Sequence, residues 1–176
     1  PAYCPPFVPM APLFPERLEA DGWRVERFLL DAEFIKHEKL RSLMAFDRLA
    51  TYDLEAGEYV RLVRNGRNPE SGMTYMSDTP MERRTNREFL SKVHGRVLIG
   101  GLGIGMIVLP AIRNLEVESV TVLEREPAVI QMVEPIIRAN LGKAANRNLT
   151  IVQTDVETWE PPAGGRPFNV VYMDIW

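Results

Sequence analysis

The chain has 176 residues and a mass of 20.0 kDa, enough for one domain with a small addition and for a substantial buried core. With 45% hydrophobic and 26% charged residues, its composition excludes a chain that is disordered throughout. The net charge of −3 provides no chain-wide basic field, so we expect no nucleic-acid partner.

The sequence also argues against several kinds of site and location. The single cysteine, Cys4, excludes an internal disulfide, and with only His37 and His94 it cannot form a four-ligand zinc site unless carboxylates join. We therefore expect no metal. No apolar run reaches the roughly 18 residues of a membrane span, and no secretion signal opens the chain, so we expect no membrane partner and a cytoplasmic location.

The first residues of the chain are rich in proline. Six of the 14 prolines lie in residues 1–15, and because proline fixes φ and lacks a backbone donor, we expect residues 1–22 to form an extended arm. The sequence leaves open whether this arm is a mobile terminus or packs on the body of the protein.

Residues 23–80 predict a small β-containing module. Partial alternation of apolar residues predicts a strand at 23–30, and imperfect helical spacing follows at 32–46. Alternation at 59–64, an Asn-Gly turn signal and an apolar return at 73–76 predict a further pair of strands.

A helix is predicted over residues 79–94, where Thr79 is a candidate cap and Pro80 suits the first helical position. We expect its arginines to form a solvated face. The second domain, assigned to residues 81–176, begins within this helix.

The second half of the chain has a different sequence pattern, which predicts alternating strands and helices. In chain order these are a strand at 97–99, a helix at 106–114, a strand at 119–123, a helix at 127–141, and strands at 149–152 and 168–173. The strand runs are apolar without alternation, which is typical of parallel strands covered on both faces. The pattern therefore predicts an α/β fold with a parallel sheet.

A glycine-rich loop, Gly101-x-Gly103-x-Gly105, follows the first of these strands and leads into a helix. Glycine permits sharp turns and a close approach of the backbone to a ligand, and the helix start offers N–H groups suited to an anion. At the carboxyl end of a parallel strand, such a loop faces the crevice in which open α/β sheets bind ligands. The alternative is a tight turn that needs glycine for packing alone.

The spacing of this loop argues against two common nucleotide-binding motifs. The dinucleotide fingerprint would need glycine at Met106 or Val108, which disfavours a nicotinamide dehydrogenase. A phosphate-binding loop would need a Gly-Lys-Ser/Thr sequence, and none follows.

Three carboxylates end the strands that follow. Glu124 lies 19 residues after Gly105, where a carboxylate can accept hydrogen bonds from both hydroxyls of a ribose. Asp155 ends the third strand, where it can reach the edge of a base, and Asp174 ends the fourth, beside the glycine loop. Each alone could be an ordinary solvated carboxylate, but together at one edge of a sheet they favour a nucleoside site.

Four segments, VLIGGLGIGM, VTVLERE, IVQTDVETW and FNVVYMDIW, resemble the successive motifs of class I S-adenosylmethionine-dependent methyltransferases. Within that superfamily they resemble the spermidine-synthase-like branch most, which also carries a small β module before its nucleotide-binding domain. The resemblance covers residues 97–176 and implies a Rossmann-like open parallel sheet of the methyltransferase type. It implies S-adenosylmethionine, or its decarboxylated form, as the cofactor.

The same resemblance implies roles for individual residues. The three glycines of the loop would lie against the methionine part of the cofactor, and Glu124 would hold the ribose hydroxyls. Asp155, with the backbone of Val156, would face the adenine. Asp174 would lie near the sulfonium as the catalytic residue that orients or deprotonates an attacking amine.

The sequence departs from the aminopropyl transferases of that branch. Ile175 and Trp176 follow Asp174 where those enzymes have small residues, and SDTPMERRTN stands in place of their acidic polyamine-binding signature. The chain stops just after the fourth strand, although the family's complete sheet has more strands, so we expect that this domain is incomplete. Another copy of the chain covering the open strand edge, as in a homodimer, is the alternative.

These observations predict a transferase that binds S-adenosylmethionine. It would transfer a methyl group, or an aminopropyl group from the decarboxylated form, to a small-molecule acceptor whose identity the sequence does not give. The alternative is a non-catalytic nucleoside-binding or interaction module that retains the Rossmann-like sheet.

Overall fold

A computed structural model describes residues 4–44, 54–68 and 71–173, and within these ranges the chain forms eight strands and five α-helices. In chain order they are β1 (Arg17–Ala20), β2 (Trp23–Leu30), α1 (Ala32–Met44), β3 (Gly57–Asn65), β4 (Gly72–Ser77), α2 (Pro80–Leu90), β5 (Gly95–Gly100), α3 (Val108–Arg113), β6 (Val117–Glu124), α4 (Pro127–Ala139), α5 (Lys143–Asn148), β7 (Leu149–Gln153) and β8 (Val170–Met173). None of the helices in these ranges is long and apolar enough to cross a membrane.

The strands form two separate sheets. The first is antiparallel, with strand order β1-β2-β3-β4, and the second is parallel, with strand order β7-β6-β5-β8. The prediction of an α/β fold with parallel strands in the second half is therefore confirmed. One hydrophobic cluster includes buried side chains of both sheets, among them Val25 and Val60 of the first and Val97 and Ile99 of the second.

The proline-rich segment contributes to this shared core. A short 3-10 helix spans Ala11–Leu13, and the side chains of Met10 and Phe14 on either side of it are buried. Farther along, part of the stretch assigned to an arm is β1, which pairs with β2 across a two-residue turn. Asp21 and Gly22 form this turn with φ values of 43° and 78°, the left-handed conformation that tight hairpins require.

Asp78 joins three parts of the fold. Its side chain is 0% exposed, and Oδ2 accepts hydrogen bonds from Met10 N at 3.1 Å and from Arg83 Nη2 at 2.9 Å. Oδ1 accepts from Val60 N at 2.7 Å. The carboxylate therefore links the proline-rich segment, β3 and α2, and its two backbone donors would otherwise be buried without a partner.

Helix α2 begins where the sequence predicted, with Pro80 at its first position and Thr79 at the cap position. Thr79 thus stands at the predicted cap position, but its side chain makes no capping hydrogen bond, and its hydroxyl lies 3.0 Å from Ser77 Oγ instead. The helix packs on β8, where the ring of Phe89 stacks on Tyr172 with 4.3 Å between centroids.

Two elements of the parallel half differ from the prediction. Helix α3 begins at Val108, because the chain turns at Gly105 (φ 76°) before it can enter a helix. Helix α5 was not predicted, since its sequence KAANRN has no apolar periodicity. It is held by Asn146, whose Nδ2 donates to the carbonyl oxygens of Arg138 and Leu141.

Candidate functional site

A cavity of about 380 Å³ lies at the carboxyl ends of β5, β6 and β7, a volume within the usual range for small-molecule sites. The chain runs from β5 through β6 to β7 and then returns to the other side of β5 to form β8. Open α/β sheets bind ligands at such a point of reversal. The glycine loop leaves β5 beside this point and lines the cavity.

The three glycines of the loop do not share one role. All have positive φ, of 96°, 52° and 76°, but only Gly101 and Gly103 line the cavity. Gly105 is buried against α4, where an added Cβ would overlap Ile137 Cδ1 and come within 2.8 Å of Cγ1. The structure therefore places Gly105 as a packing glycine and leaves Gly101 and Gly103 beside the candidate ligand.

The helix after the loop does not present its first turn to the cavity. Residues 104–112 are all buried, and none of them lines it. The start of α4 lines the cavity instead, through Glu126 and Val129. The anion-binding helix start that the sequence suggested is thus not part of this site.

Glu124 is held in place by two backbone donors. Its Oε2 accepts from Leu102 N at 2.9 Å, and its Oε1 accepts from Glu126 N at 2.8 Å. The carboxylate therefore bridges the glycine loop and the start of α4 while lining the cavity. Each oxygen has a second lone pair, so the group can still accept from a ligand hydroxyl.

Asp155 and Val156 also line the cavity, in the segment after β7. Asp155 Oδ1 accepts from Glu157 N at 2.9 Å, while Oδ2 lies 3.9 Å from Arg125 Nη1. Glu124 and Asp155 thus meet at one cavity, as predicted from the strand ends. Asp174, the proposed catalytic residue, lies outside the described residues.

The antiparallel sheet supplies another wall, through Trp23, Leu62, Tyr75 and Met76, none of which is predicted as a site residue from the sequence. The rings of Trp23 and Tyr75 meet edge to face with 4.9 Å between centroids. Trp23 Nε1 donates to Glu126 Oε2 at 3.3 Å and so connects this wall to α4. These partners lie 103 positions apart in the chain, so no local pattern predicts their contact.

The cavity carries an excess of negative charge. Among its described lining residues, the carboxylates of Glu124, Glu126, Asp155 and Glu157 outnumber the one guanidinium, that of Arg125. Like charges gathered in a cleft focus the electrostatic field and raise the local concentration of the opposite charge. The site therefore favours a ligand that carries positive charge.

Another cavity, of about 510 Å³, lies between the proline-rich segment and α2, with Phe7, Arg83 and Arg87 among its lining residues. It does not adjoin the carboxyl ends of the parallel strands. Neither Glu124 nor Asp155 lines this second cavity. Both of these predicted site residues line the first one, which is therefore the better candidate for the functional site.

The bridging role of Glu124 leads to a prediction about stability. Glu124→Ala leaves the N–H groups of Leu102 and Glu126 without their acceptor, and we expect the free energy of unfolding to fall by about 1.5–3 kcal/mol. Urea denaturation measures this. Glu157→Ala is the matched control, because it removes an exposed lining carboxylate and should change stability by less than about 0.5 kcal/mol. Equal losses in the two variants would contradict the bridging role.

Comparison of the chain with protein-family models, with curated proteins and with solved structures finds no match. The resemblance to methyltransferases therefore remains a prediction from the motifs. The residues that meet at the cavity, and the charge they carry there, are what indicate its ligand.

Proposed function

We propose that this chain binds S-adenosylmethionine or its decarboxylated form in the 380 Å³ cavity and transfers a methyl or aminopropyl group to a small acceptor. One observation supports this most strongly. The glycine loop, the Glu124 carboxylate and the Asp155–Val156 segment come from three different strand ends and line the same cavity.

The strand order supports a Rossmann-like assignment of the parallel sheet. Taken in chain order, β5 to β8 are its first to fourth strands, and they lie side by side as third, second, first and fourth. This is the arrangement with which the doubly wound nucleotide-binding sheet begins. In that fold an acidic residue about 20 residues after the glycine loop binds the ribose, and Glu124, the last residue of β6, lies 19 residues after Gly105.

The charge of the cavity agrees with a sulfonium ligand. Four lining carboxylates outnumber the guanidinium of Arg125 and that of Arg64, which pairs with Glu126 from outside the lining, and this excess suits a ligand with a cationic sulfur and an ammonium group. Tyr75 adds aromatic surface beside them, and aromatic faces attract cations when water is excluded; the ring of Trp23 already has the Arg64 guanidinium 4.9 Å from its centroid.

When bound, the sulfonium compound supplies both the electrophilic carbon and the leaving group, so the protein's task is to position the nucleophile. Correct orientation of two reacting groups can lower a barrier by about 7–11 kcal/mol. Glu124 would hold the ribose and fix the donor in the cavity, and Asp155 would face the base. Asp174 stays the proposed orienting group for the acceptor.

A non-catalytic nucleoside-binding module is the alternative, and one observation favours it. Both oxygens of Glu124 and Oδ1 of Asp155 are engaged by backbone N–H groups. These contacts tie both carboxylates to the backbone around the cavity, and neither group is assigned a part in group transfer. Binding without turnover would therefore fit the described part of the cavity.

A thermal-shift panel with S-adenosylmethionine, its decarboxylated form, methylthioadenosine and NAD tests the proposal. A ligand at about 100 times its Kd adds about 2.7 kcal/mol, which raises Tm by about 5–11 °C for a chain of this size. We expect the adenosyl compounds to give this shift and NAD to give none. No shift with any adenosyl compound would overturn the proposal, whereas a shift without group transfer in a mass-spectrometric assay would favour the binding module.

A further inference from the structure

The proline-rich segment exposes a proline at every third position. The four exposed prolines are Pro6, Pro9, Pro12 and Pro15. The residues between them are half-buried or buried, and the side chains of Met10 and Phe14 belong to the core. Polyproline II and the 3-10 helix both have three residues per turn, so either one directs every third side chain to the same side. The segment therefore turns prolines to the solvent while its other sides pack on the protein.

The part of this segment before the 3-10 turn is extended. Residues 4–9 lie outside any helix or strand. Three of these six positions are proline, which fixes φ at about −65°, and the residue before each proline is disfavoured from the helical region. These restrictions favour polyproline II, in which residues three apart lie roughly 9 Å from each other along one edge. Pro6-Phe7-Val8-Pro9 is thus a P-x-x-P segment with both of its prolines exposed.

The body of the protein holds the chain on both sides of this P-x-x-P segment. Before it, Cys4 Sγ donates to the carbonyl oxygen of Arg87 at 3.7 Å. After it, Met10 N donates to Asp78 Oδ2 at 3.1 Å, and the side chain of Met10 is 0% exposed. A segment that is already held in one conformation loses less entropy when a partner binds it. The two anchors therefore prepare the exposed prolines for recognition.

A cavity and a cationic side chain adjoin the segment at Pro6. The 510 Å³ cavity has Pro6 and Phe7 on one side and Arg83 and Arg87 of α2 on another, with Glu55 as a lining carboxylate. Arg83 is engaged in its ion pair with a buried carboxylate, whereas Arg87 is exposed. A partner that covers the prolines can therefore reach the guanidinium of Arg87 with an acidic side chain.

We propose that the segment Pro6-Phe7-Val8-Pro9 is a docking site for a partner protein with an aromatic-lined groove, of the kind that binds polyproline II. Aromatic side chains of the groove would pack on the exposed rings of Pro6 and Pro9, and a carboxylate at its rim would pair with Arg87. These three residues do not line the 380 Å³ cavity. The docking site is therefore independent of the proposed transferase function.

Calorimetric titration of the full chain with a panel of isolated SH3, WW and EVH1 domains tests this site, because these domains bind polyproline II through aromatic grooves. We expect at least one of them to bind, and Pro6→Ala/Pro9→Ala to weaken that binding about tenfold, since the two rings are the central contacts. Pro12→Ala/Pro15→Ala is the matched control, because it removes two other exposed prolines that lie in and after the 3-10 turn. This control should bind as the wild type does.

Arg87→Ala keeps both prolines of the site, so it tests the same surface even if the Pro6→Ala/Pro9→Ala variant is poorly folded. We expect it to weaken binding about two- to fivefold at low salt, the usual size of an exposed ion pair, and less at high salt. Binding by none of the domains, or equal losses in the two proline variants, would overturn the docking site. Self-association of the wild type that Pro6→Ala/Pro9→Ala abolishes, measured by sedimentation, would also overturn it, because a second copy would then be the occupant.

Discussion

Asp78→Ala is expected to lower the free energy of unfolding by about 3–5 kcal/mol, a large part of the stability of a typical domain. The substitution removes the acceptor of two backbone N–H groups, those of Met10 and Val60, and the charge partner of Arg83. Because the carboxylate is 0% exposed, water cannot replace it without opening the junction of the proline-rich segment, β3 and α2. Urea denaturation monitored by far-UV circular dichroism gives the difference.

Two controls separate the contributions to this effect. Arg83→Ala removes the ion pair but leaves Asp78 bound to both backbone donors, so we expect a smaller loss than for Asp78→Ala. Glu118→Ala breaks an exposed pair with Arg166 at 3.1 Å and should cost no more than about 1 kcal/mol. If Arg83→Ala proves as costly as Asp78→Ala, the ion pair carries the stabilisation and the backbone contacts do not.

Gly105→Ala should destabilise the fold by about 2–5 kcal/mol, because it combines a left-handed residue with an overpacked core. The φ of 76° disfavours any side chain, and the new Cβ would overlap the buried side chain of Ile137. Gly164→Ala is the matched control: its φ is 74°, but an added Cβ there meets nothing within 4 Å.

The control variant should therefore show the backbone cost alone, about 1–2 kcal/mol. The difference between the two glycine variants measures the clash with α4, and Ile137→Val in the Gly105→Ala background should recover part of it by removing Cδ1. Equal losses at Gly105 and Gly164 would mean that Ile137 moves aside freely and that the packing role is wrong. Thermal unfolding in the absence of ligand gives all three values.

The parallel half of the fold was predictable because its signals are local. Strands such as β5 and β6 are buried by their neighbours, so the apolar runs around Ile99 and Val122 identify them directly. Glu124 and Asp155 could be placed at one edge from strand direction alone. Strand β1 carried a usable signal as well, since Asp21-Gly22 is a hairpin dipeptide, but its RLEA sequence shows little apolar alternation.

The rest of the site depends on how distant segments pack. No sequence periodicity identifies Trp23 and Tyr75 as a wall of the cavity or predicts the contact between Trp23 and Glu126. Both depend on how the antiparallel sheet packs against the parallel half of the fold. The packing role of Gly105 also depends on a segment that is distant in the sequence. A spacing motif shows where glycine is needed, but the reason at this position is the side chain of Ile137 on α4.

The division of the cavity between two sheets has an evolutionary consequence. The wall residues Leu62, Tyr75 and Met76 lie on the β3–β4 hairpin, whereas the glycine loop and Glu124 belong to the parallel sheet. Substitutions on the hairpin can therefore reshape one side of the cavity while the opposite side keeps its backbone. Gly103 and Met76 cannot vary independently in this way, because a Cβ at position 103 would overlap the Met76 sulfur. We therefore expect these two positions to change together in divergent descendants.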